Sequence, residues 1–477
     1  TYDGVGNILT QTDFAGHTRQ YRYDDFDRET DSIDPLGFSV KKEYTLSGRI
    51  RRMTDPFGQA LTYTYDGLDR LLTTTDPNGQ STTNVYNTRG NIISSTDAEG
   101  RTTTYAYDSL NRQTSVTAAD GKTTRWDYDT VANTTTVTDP QGNRTTSHFD
   151  RLERLVRLER PTGDGPVLYE YFPNGEVKSL TDGSNAKTTY TYNGRGQRAT
   201  ETGAYGTRTY VYDKADNVVS ITDFDGRTRT FVYDALNRMI EEHWIGLTYD
   251  AAWTYDANGN VTRAADSYST YTYTYDAAGR RTEVDNAGTP QGGARVVLTY
   301  TYDALNSLTS LSAWVSGLTG LTGFTNTYTY DSSRRLSAIT QSGAGLTSKS
   351  ASYTYDATGY PITDAFRNGA GGGTEVATIT RSYSAIGRVE RITQRHGGAQ
   401  INFYAITYDN AGRISGITDV DGLRTYQYTP SGQLIAVDYS DGRTDESYSY
   451  DGNGNPTGFA YGVGDQITAD GTYTYIY

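Results

Sequence analysis

Aromatic and polar residues alternate over short stretches of this chain, and the alternation recurs at a fixed interval. In "TTYAYDSLNRQTSV", residues 103–116, two tyrosines stand two positions apart, a polar turn follows, and threonines and a valine come after it. Residues two apart lie on one face of a strand, so Tyr105 and Tyr107 are expected to point the same way. The pattern predicts a strand, a tight turn and a second strand.

The second tyrosine of each "YxYD" pattern anchors one repeat. Anchors stand at Tyr2 and at positions 23, 44, 65, 86, 107 and 128, spaced by 21 residues, and Phe149 continues the series. We number the repeats 1 to 22 by their anchors. The repeats are strict over 1–149 and looser, with loop insertions, over 150–477, which predicts one repeat array. The later anchors are Tyr171, Tyr192, Tyr212, Tyr233, Tyr255, Tyr275, Tyr302, Tyr330, Tyr355, Tyr383, Tyr408, Tyr428, Tyr450 and Tyr475.

Each repeat contains two turns. The first turn follows the anchor, and four residues after the anchor stands Gly twelve times and Asp or Asn six times; Ala132, Glu153 and Arg334 are the exceptions. Such residues tolerate positive φ, which predicts a type I turn closed by a left-handed residue and capped by the Asp after the anchor. The second turn, as in "TDPFGQ", suits Pro at its second position and Gly at its fourth. The predicted turn residues are Gly48, Gly90, Asn111, Gly196, Asn237, Gly279 and Gly412.

An aromatic stripe accompanies the anchors, because 16 of 21 anchors have Tyr, Phe or Trp two positions before them. Rows of exposed tyrosines can stack on sugar rings. A ladder in nearly every repeat favours a structural role instead, in which cross-strand Tyr–Tyr packing holds the sheet together. The predicted ladder residues are Tyr63, Tyr65, Tyr105, Tyr107, Tyr190, Tyr192, Tyr210, Tyr212, Tyr273, Tyr275, Tyr353 and Tyr355.

The predicted fold is all-β, a long antiparallel meander of hairpin units with a period of about 21 residues and ~40 strands. Open twisted sheets rarely exceed ~10 strands without curling or splitting. The meander is therefore expected to coil into a spiral ribbon or hollow shell.

Composition narrows the functional classes. A net charge of −14 and a pI near 4.8 argue against nucleic acid as a partner. The longest apolar run, residues 311–324, is short and broken by glycines, so membrane insertion is not expected. The absence of cysteine excludes disulfides and thiolate metal sites, and it fits a secreted bacterial protein.

The pattern "YDxxGRxxxxTDxxGxxTxYxYD" closely resembles the RHS/YD-repeat family, and residues 86–108, "YNTRGNIISSTDAEGRTTTYAYD", carry it almost completely. The family includes bacterial RHS toxins, Tc-toxin shell components, bacterial surface proteins and teneurins. The resemblance implies a β-sheet ribbon wound into a hollow shell, secreted or at the bacterial cell surface. It also implies a toxin polypeptide, flanking or enclosed and of the same or a partner chain, as the partner. Cell-surface adhesion or glycan binding is the alternative.

One departure from the family concerns self-cleavage. Toxin-bearing members end the shell with paired DPxG motifs whose aspartates release the cargo. Here "DPLG" (34–37), "DPFG" (55–58) and "DPNG" (76–79) occur at the ordinary repeat period and are interpreted as turns. The chain ends within a repeat, and its last strand, "GTYTYIY" (471–477), is expected to present an unpaired edge. A segment of a larger shell is expected, without autoproteolysis.

Other candidate sites have simpler interpretations. His17, His148, His243 and His396 lack metal-ligand spacing. "DFDG" (223–226) and "DVDG" (419–422) lack the distal glutamate of a calcium loop and stand where other repeats have the second turn. Residues 151–161, "RLERLVRLERP", suit a strand pair or a short helix. We therefore expect no catalytic residue, no metal and no cofactor, and a chain that is not an enzyme.

Overall fold

The computed structural model describes residues 1–161, 165–204, 206–246, 250–289, 294–316, 323–370, 372–451, 455–461 and 467–469. These residues form strands, turns and short connections, and none of them belongs to a helix long and apolar enough to cross a membrane. The predicted all-β class is confirmed. The expected edge strand at 471–477 lies outside the described residues.

The strands are numbered in chain order. The first half of the chain contains β1 Thr10–Thr12, β2 Thr18–Tyr23, β3 Glu29–Ile33, β4 Ser39–Tyr44, β5 Ile50–Thr54, β6 Ala60–Tyr65, β7 Leu71–Thr75, β8 Ser81–Tyr86, β9 Ile92–Thr96, β10 Thr102–Tyr107, β11 Gln113–Thr117, β12 Thr123–Asp129, β13 Thr134–Thr138, β14 Arg144–Phe149, β15 Leu155–Glu159, β16 Val167–Tyr171, β17 Val177–Thr181, β18 Lys187–Tyr192, β19 Arg198–Gly203, β20 Gly206–Tyr212, β21 Val218–Thr222, β22 Thr228–Tyr233 and β23 Met239–Trp244.

The second half contains β24 Asp250–Tyr255, β25 Val261–Ala265, β26 Thr270–Tyr275, β27 Arg281–Asp285, β28 Val296–Tyr302, β29 Leu308–Val315, β30 Gly323–Tyr330, β31 Leu336–Ser342, β32 Lys349–Tyr355, β33 Pro361–Asn368, β34 Thr374–Tyr383, β35 Val389–His396, β36 Ala399–Tyr408, β37 Ile414–Asp419, β38 Gly422–Tyr428, β39 Leu434–Tyr439, β40 Glu446–Ser447, β41 Ala460–Tyr461 and β42 Ile467–Ala469.

Antiparallel pairing joins successive strands. β1 to β40 belong to one sheet, and β41 and β42 form a separate pair. The predicted meander is thereby confirmed. The chain divides into two compact units, unit 1 with residues 1–104 and 251–402, and unit 2 with residues 105–250 and 403–477. Each unit thus contains two stretches of the meander that are far apart in sequence.

A β-bulge accompanies the first turn of most repeats. Between β6 and β7, Thr64 pairs with Thr73 but Tyr65 pairs with Leu71, so the register shifts at the anchor. The residue four after this anchor, Asp69, has φ 60°. A type I turn followed by a left-handed bulge residue is a common three-residue hairpin loop. The local sequence therefore specifies both the turn and the bulge.

The three exceptions to the turn pattern behave in two ways. Glu153 (φ 60°) and Arg334 (φ 66°) adopt the left-handed conformation although neither is Gly, Asn or Asp. The turn after Tyr128 differs, because Asp129 pairs with Thr134 without a register shift and the residue with positive φ is Asn133 (φ 52°). Glu153 and Arg334 are therefore exceptions in residue type only, and their turns keep the backbone conformation of the other repeats.

Two further alternatives are decided by the fold. Residues 151–153 form a turn and 155–159 form the single strand β15, so this stretch is neither the predicted strand pair nor the alternative short helix. In the described part of the chain, the buried hydrophobic side chains are Ala313, Ala365 and Val437. Burial of apolar side chains in a core therefore contributes little to the stability of the fold. The polar contacts between repeats are considered next.

Candidate functional site

The recurring chemistry of the molecule lies at the anchor tyrosines. The hydroxyl of Tyr65 donates a hydrogen bond of 2.8 Å to the carbonyl oxygen of Ile50, the first residue of β5. At least sixteen anchors among the residues that the structure describes, Tyr65 included, make this bond, with lengths of 2.6–3.0 Å. Among the predicted ladder residues, Tyr65, Tyr192, Tyr212, Tyr275 and Tyr355 belong to this set. The anchor therefore acts as a donor as well as an apolar side chain.

The geometry of the strands explains why a donor is needed. β5 and β6 pair at Arg52, Met53 and Thr54 only, so the carbonyl of Ile50 lies beyond the paired region. A backbone carbonyl without a partner is costly where water has limited access. The phenol of Tyr65 reaches across from the far end of β6 and supplies the missing donor. Each such bond ties a strand to the one before it where their backbones diverge.

The aspartate after the anchor holds the first turn. Oδ1 of Asp66 accepts hydrogen bonds from the backbone amides of Leu68 (2.9 Å) and Arg70 (3.0 Å). This arrangement recurs in most repeats and is the Asx cap expected from the sequence. The seven predicted turn residues all have positive φ, between 59° and 89°, and they are Gly48, Gly90, Asn111, Gly196, Asn237, Gly279 and Gly412.

In about half of the repeats, an arginine five residues after the anchor connects the first turn to the next repeat. Nε of Arg70 donates to Oδ2 of Asp66 at 2.6 Å, and its guanidinium lies 4.7 Å from the ring centroid of the next anchor, Tyr86. Its Nη1 donates to the carbonyl of Asn87 at 2.9 Å. The same carboxylate and ring contacts are made by Arg28, Arg112, Arg154, Arg280, Arg335 and Arg413.

These arginines were not among the residues singled out in the sequence. The signal that identifies them is the R of "YDxxGR", which recurs at one fixed distance from the anchor. A planar guanidinium can bind a carboxylate edge-on and stack on an aromatic ring at the same time. The aspartate and arginine of one motif and the tyrosine of the next therefore form one group of contacting side chains that links neighbouring repeats.

The tyrosines two positions before the anchors lie on the same strand face but make different contacts. Arg198 lies 4.4 Å from the ring of Tyr190, and Arg281 lies 6.0 Å from that of Tyr273. Tyr63, Tyr105, Tyr210 and Tyr353 are half-buried strand residues, and Tyr107 is the anchor of repeat 6. Ring pairs occur at Phe172–Tyr192 (6.2 Å) and Tyr360–Tyr383 (5.1 Å). Hydroxyl and guanidinium contacts thus recur more regularly than the expected Tyr–Tyr packing.

The ionisation of these groups follows from their contacts. Burial raises the pKa of Tyr65 above its usual 10.0, which keeps the hydroxyl a donor. The hydrogen bond from the Arg70 side chain, followed by that from its backbone amide, lowers the pKa of Asp66 below its usual 3.8. Both shifts favour the state that makes the contact, a neutral phenol and a charged carboxylate.

A second set of contacts joins repeats that are far apart in sequence. Within unit 1, Asn258 Nδ2 donates to Asp13 Oδ2 at 2.9 Å, and Ser333 Oγ donates to Asp76 Oδ2 at 2.6 Å. Arg101 Nη2 donates to Thr358 Oγ1 at 2.6 Å. In each case a second turn of an early repeat meets a first turn of a late one. We call this line of contacts the seam.

Most seam contacts join repeats that are twelve apart. In unit 1, second turns of repeats 1, 4 and 5 meet first turns of repeats 13, 16 and 17. In unit 2, Gln141 of repeat 7 accepts a hydrogen bond of 2.7 Å from Arg413 of repeat 19. The longer Lys122 of repeat 6 also reaches the carbonyl of Asp409 in repeat 19, at 3.3 Å. The Lys122 contact spans thirteen repeats, whereas the other four span twelve although the late repeats differ in length.

One position of the first turn carries most seam contacts in unit 1. The third residue after the anchor is Asn258 in repeat 13, Ser333 in repeat 16 and Thr358 in repeat 17. In repeat 15 the same position is Leu305, a half-buried side chain that lines a cavity of about 360 Å³ with Val40, Met53, Leu61 and Pro77. We call this third residue the seam position. Depending on its side chain, it makes either a polar contact or an apolar one.

The remaining candidates from the sequence are the aspartates of the two calcium-like motifs and the histidines. Asp223 and Asp419 each accept a backbone amide two residues on, as turn caps do. His243 lies between Asp250 (2.9 Å) and Glu241 (3.2 Å), and the hydrogen bond to Asp250 is the main cause of its raised pKa. Over the residues that the structure describes, no group of three or more His, Asp or Glu side chains is arranged to hold a metal ion.

A comparison with models of protein families finds a match to one family. The model of the RHS repeat matches residues 2–39, 44–81, 86–123, 212–243, 255–291 and 408–444. The tRNA3(Ser)-specific nuclease WapA of Bacillus spizizenii is 26% identical over 189 residues, which are 39% of this chain and 8% of WapA. The match therefore covers a small part of a much longer protein.

Solved structures show the same fold. The chain resembles TcdB2-TccC3 without its hypervariable C-terminal region (TM-score 0.74, 14% identity, 94% of this chain and 33% of that one). It resembles TcdB2-TccC3-Cdc42 similarly (0.72, 14%, 94% and 34%). The Photorhabdus luminescens Tc holotoxin pore with the mutation TccC3-D651A also matches (0.55, 14%, 92% and 30%). The chain spans about a third of the length of these structures.

Proposed function

We propose that this chain, in which six segments match the RHS-repeat model, is a non-catalytic wall segment of a secreted bacterial toxin that encloses a toxin polypeptide. The observation that carries the proposal is the seam, where turns of one stretch of ribbon fasten to turns twelve repeats later. Sheet within each stretch and seam between stretches together give a continuous surface, as a wall requires. The fold shared with the TcdB2-TccC3 structures supports the same role.

The use of the recurring side chains also supports a structural role. The anchor hydroxyl, the turn carboxylate and the arginine bind one another or the backbone in repeat after repeat. Groups held in this way serve the cohesion of the ribbon. Adhesion or carbohydrate binding, the alternative from the sequence, is not favoured by the comparisons, and a glycan array probed with the chain would test it.

A protection assay tests the enclosure. The intact native protein would be treated with proteinase K, and cleavage of the polypeptide beyond this chain would be followed by mass spectrometry. The seam variant combines Glu99→Ala and Arg101→Ala, which remove the bonds to the Ala357 amide and Thr358. The matched control combines Glu43→Ala and Arg51→Ala, an exposed ion pair of 3.0 Å within one ribbon stretch.

We expect the enclosed polypeptide to resist cleavage in the unaltered protein and in the control. The seam variant should be cleaved at least ten times faster, because the ribbon stretches can separate. If the polypeptide is cleaved in the unaltered protein as fast as when it is free, the enclosure proposal is wrong.

A further inference from the structure

At the pairing of repeats 3 and 15, the seam of unit 1 places an apolar side chain beside a second-turn aspartate. Leu305, at the seam position of repeat 15, and Asp55, which begins the second turn of repeat 3, both line the cavity of about 360 Å³. In repeat 13 the seam position is Asn258, whose Nδ2 donates to Oδ2 of Asp13 at 2.9 Å. Leucine has no donor, so the equivalent bond to Asp55 cannot form.

The half-buried carboxylate of Asp55 therefore keeps one oxygen without a donor. Its Oδ1 accepts the backbone amides of Phe57 and Gln59, both at 2.9 Å, whereas its Oδ2 accepts no hydrogen bond from the residues that the structure describes. In repeat 5, the residue four after the turn aspartate fills this place, because Arg101 Nε donates to Asp97 Oδ2 at 2.7 Å. In repeat 3 that residue is Gln59. A charged acceptor thus remains beside the cavity.

The walls of the cavity are mainly apolar and come from both stretches of ribbon. Met53 pairs with Leu61 across β5 and β6, Val40 of β4 lies beside them, and Leu305 stands on the other side of the seam. Oε1 of Gln59, another residue of the cavity, is buried without a hydrogen-bond donor in the described part of the chain. The volume lies within the range of about 300–1,000 Å³ that small-molecule sites have. Apolar walls with two acceptors that lack donors suit an apolar molecule that carries a donor.

The other charged groups of the cavity have partners. Nη2 of Arg334 donates to Asp303 and to Ser307, so the arginine is paired with a carboxylate of its own stretch. Asp76 Oδ2 accepts from Ser333 Oγ at 2.6 Å. The charge that remains without a counter-ion beside the cavity is therefore negative, and it favours a positively charged donor.

We infer that this cavity binds a small primary amine with an apolar body. The ammonium group donates to Asp55 and to Gln59, and the apolar body lies between Met53 and Leu61 on one side and Leu305 on the other. The ligand touches both stretches of ribbon, so it binds the closed seam and stabilises it. The inference concerns a ligand within the wall, and it does not depend on the enclosure of a toxin.

Isothermal titration calorimetry of the full chain tests the inference with 2-phenylethylammonium as the probe, at concentrations up to about 10 mM. 2-Phenylethanol and phenylacetate are the matched neutral and negative probes. Asp55→Asn removes the charge but keeps the oxygen that caps the turn. Leu305→Asn supplies the seam donor that repeat 13 has. The control is Asp34→Asn, the same change in the second turn of repeat 2, at a residue that does not line the cavity. Circular dichroism establishes that each variant is folded.

The unaltered chain and the control should bind the amine equally well, at one site. Asp55→Asn and Leu305→Asn should each bind it at least ten times more weakly, and the unaltered chain should bind the alcohol at least ten times more weakly than the amine and the carboxylate not at all. The inference is wrong if the unaltered chain does not bind the amine, or if the alcohol binds as tightly. It is also wrong if the control loses as much affinity as Asp55→Asn, because the amine then responds only to the net negative charge of the protein.

Discussion

Replacement of Tyr65 by Phe isolates the contribution of one anchor hydroxyl. The substitution leaves the ring in β6 and removes only the donor that binds the Ile50 carbonyl at 2.8 Å. Because β5 and β6 are not paired at Ile50, no strand amide takes over the bond. The variant therefore tests whether the hydroxyl, rather than the ring, fastens one strand to the next.

The magnitude follows from the environment of the bond. A hydrogen bond contributes about 0.5–1.5 kcal/mol net, and a buried acceptor left without a donor costs about 1–3 kcal/mol. The Tyr65 bond is partly buried, so water can reach the freed carbonyl in part. We expect the free energy of unfolding to fall by about 1 kcal/mol.

Urea unfolding followed by circular dichroism measures the loss, and hydrogen exchange of peptides from β5 and β6 locates it. Local measurement matters because repeat arrays can open a few repeats at a time. Tyr63→Phe is the matched control, since Tyr63 lies on the same strand and its hydroxyl makes no hydrogen bond within the described residues. Equal effects of the two substitutions, or an unchanged stability of Tyr65→Phe, would refute the role of the hydroxyl.

Four further predictions concern the same network. Arg70→Lys should lower the free energy of unfolding by about 1 kcal/mol in urea titrations, because lysine cannot bind Asp66 and stack on Tyr86 together. Glu153→Gly should raise the thermal midpoint by relieving a left-handed non-glycine residue, a gain of about 1 kcal/mol. Phe149→Tyr should leave the urea midpoint unchanged. The pKa is lowered at Asp66 and at Asp24, Asp108, Asp150, Asp234, Asp276 and Asp409, so their contribution to stability is complete above the usual carboxylate pKa and is lost as pH falls below about 4, which a pH series of urea midpoints would show.

The period, the strands and the turns could be predicted from the sequence because each depends on nearby residues. Alternation identifies a strand, and Gly, Asn or Asp four residues after the anchor identifies the left-handed bulge. Residue type does not predict the left-handed conformation of Glu153 and Arg334. Residue type indicates which backbone conformation a residue prefers, whereas the hairpin imposes the left-handed one at these positions.

The seam could not be predicted in the same way. Its register depends on a small rotation at every repeat, added over twelve repeats, and no single repeat encodes that sum. Asn258, Ser333 and Thr358 occupy the same turn position yet look like ordinary polar turn residues in the sequence. Their contacts with second turns appear only when distant stretches of ribbon are brought together.

Two irregularities that look unrelated in the sequence, Ala132 in repeat 7 and the Phe anchor at 149, have one cause. The hairpin of β12 and β13 lacks the bulge, so β13 stays in register with β14 over five pairs, from Thr134–His148 to Thr138–Arg144. The Phe149 amide then donates to the Asn133 carbonyl at 3.0 Å, a backbone bond where other repeats need a tyrosine hydroxyl. The bulge creates the free carbonyl and the next anchor hydroxyl satisfies it, so a repeat without the bulge can be followed by phenylalanine. Tyrosine at the anchor is thus a consequence of the bulged turn before it.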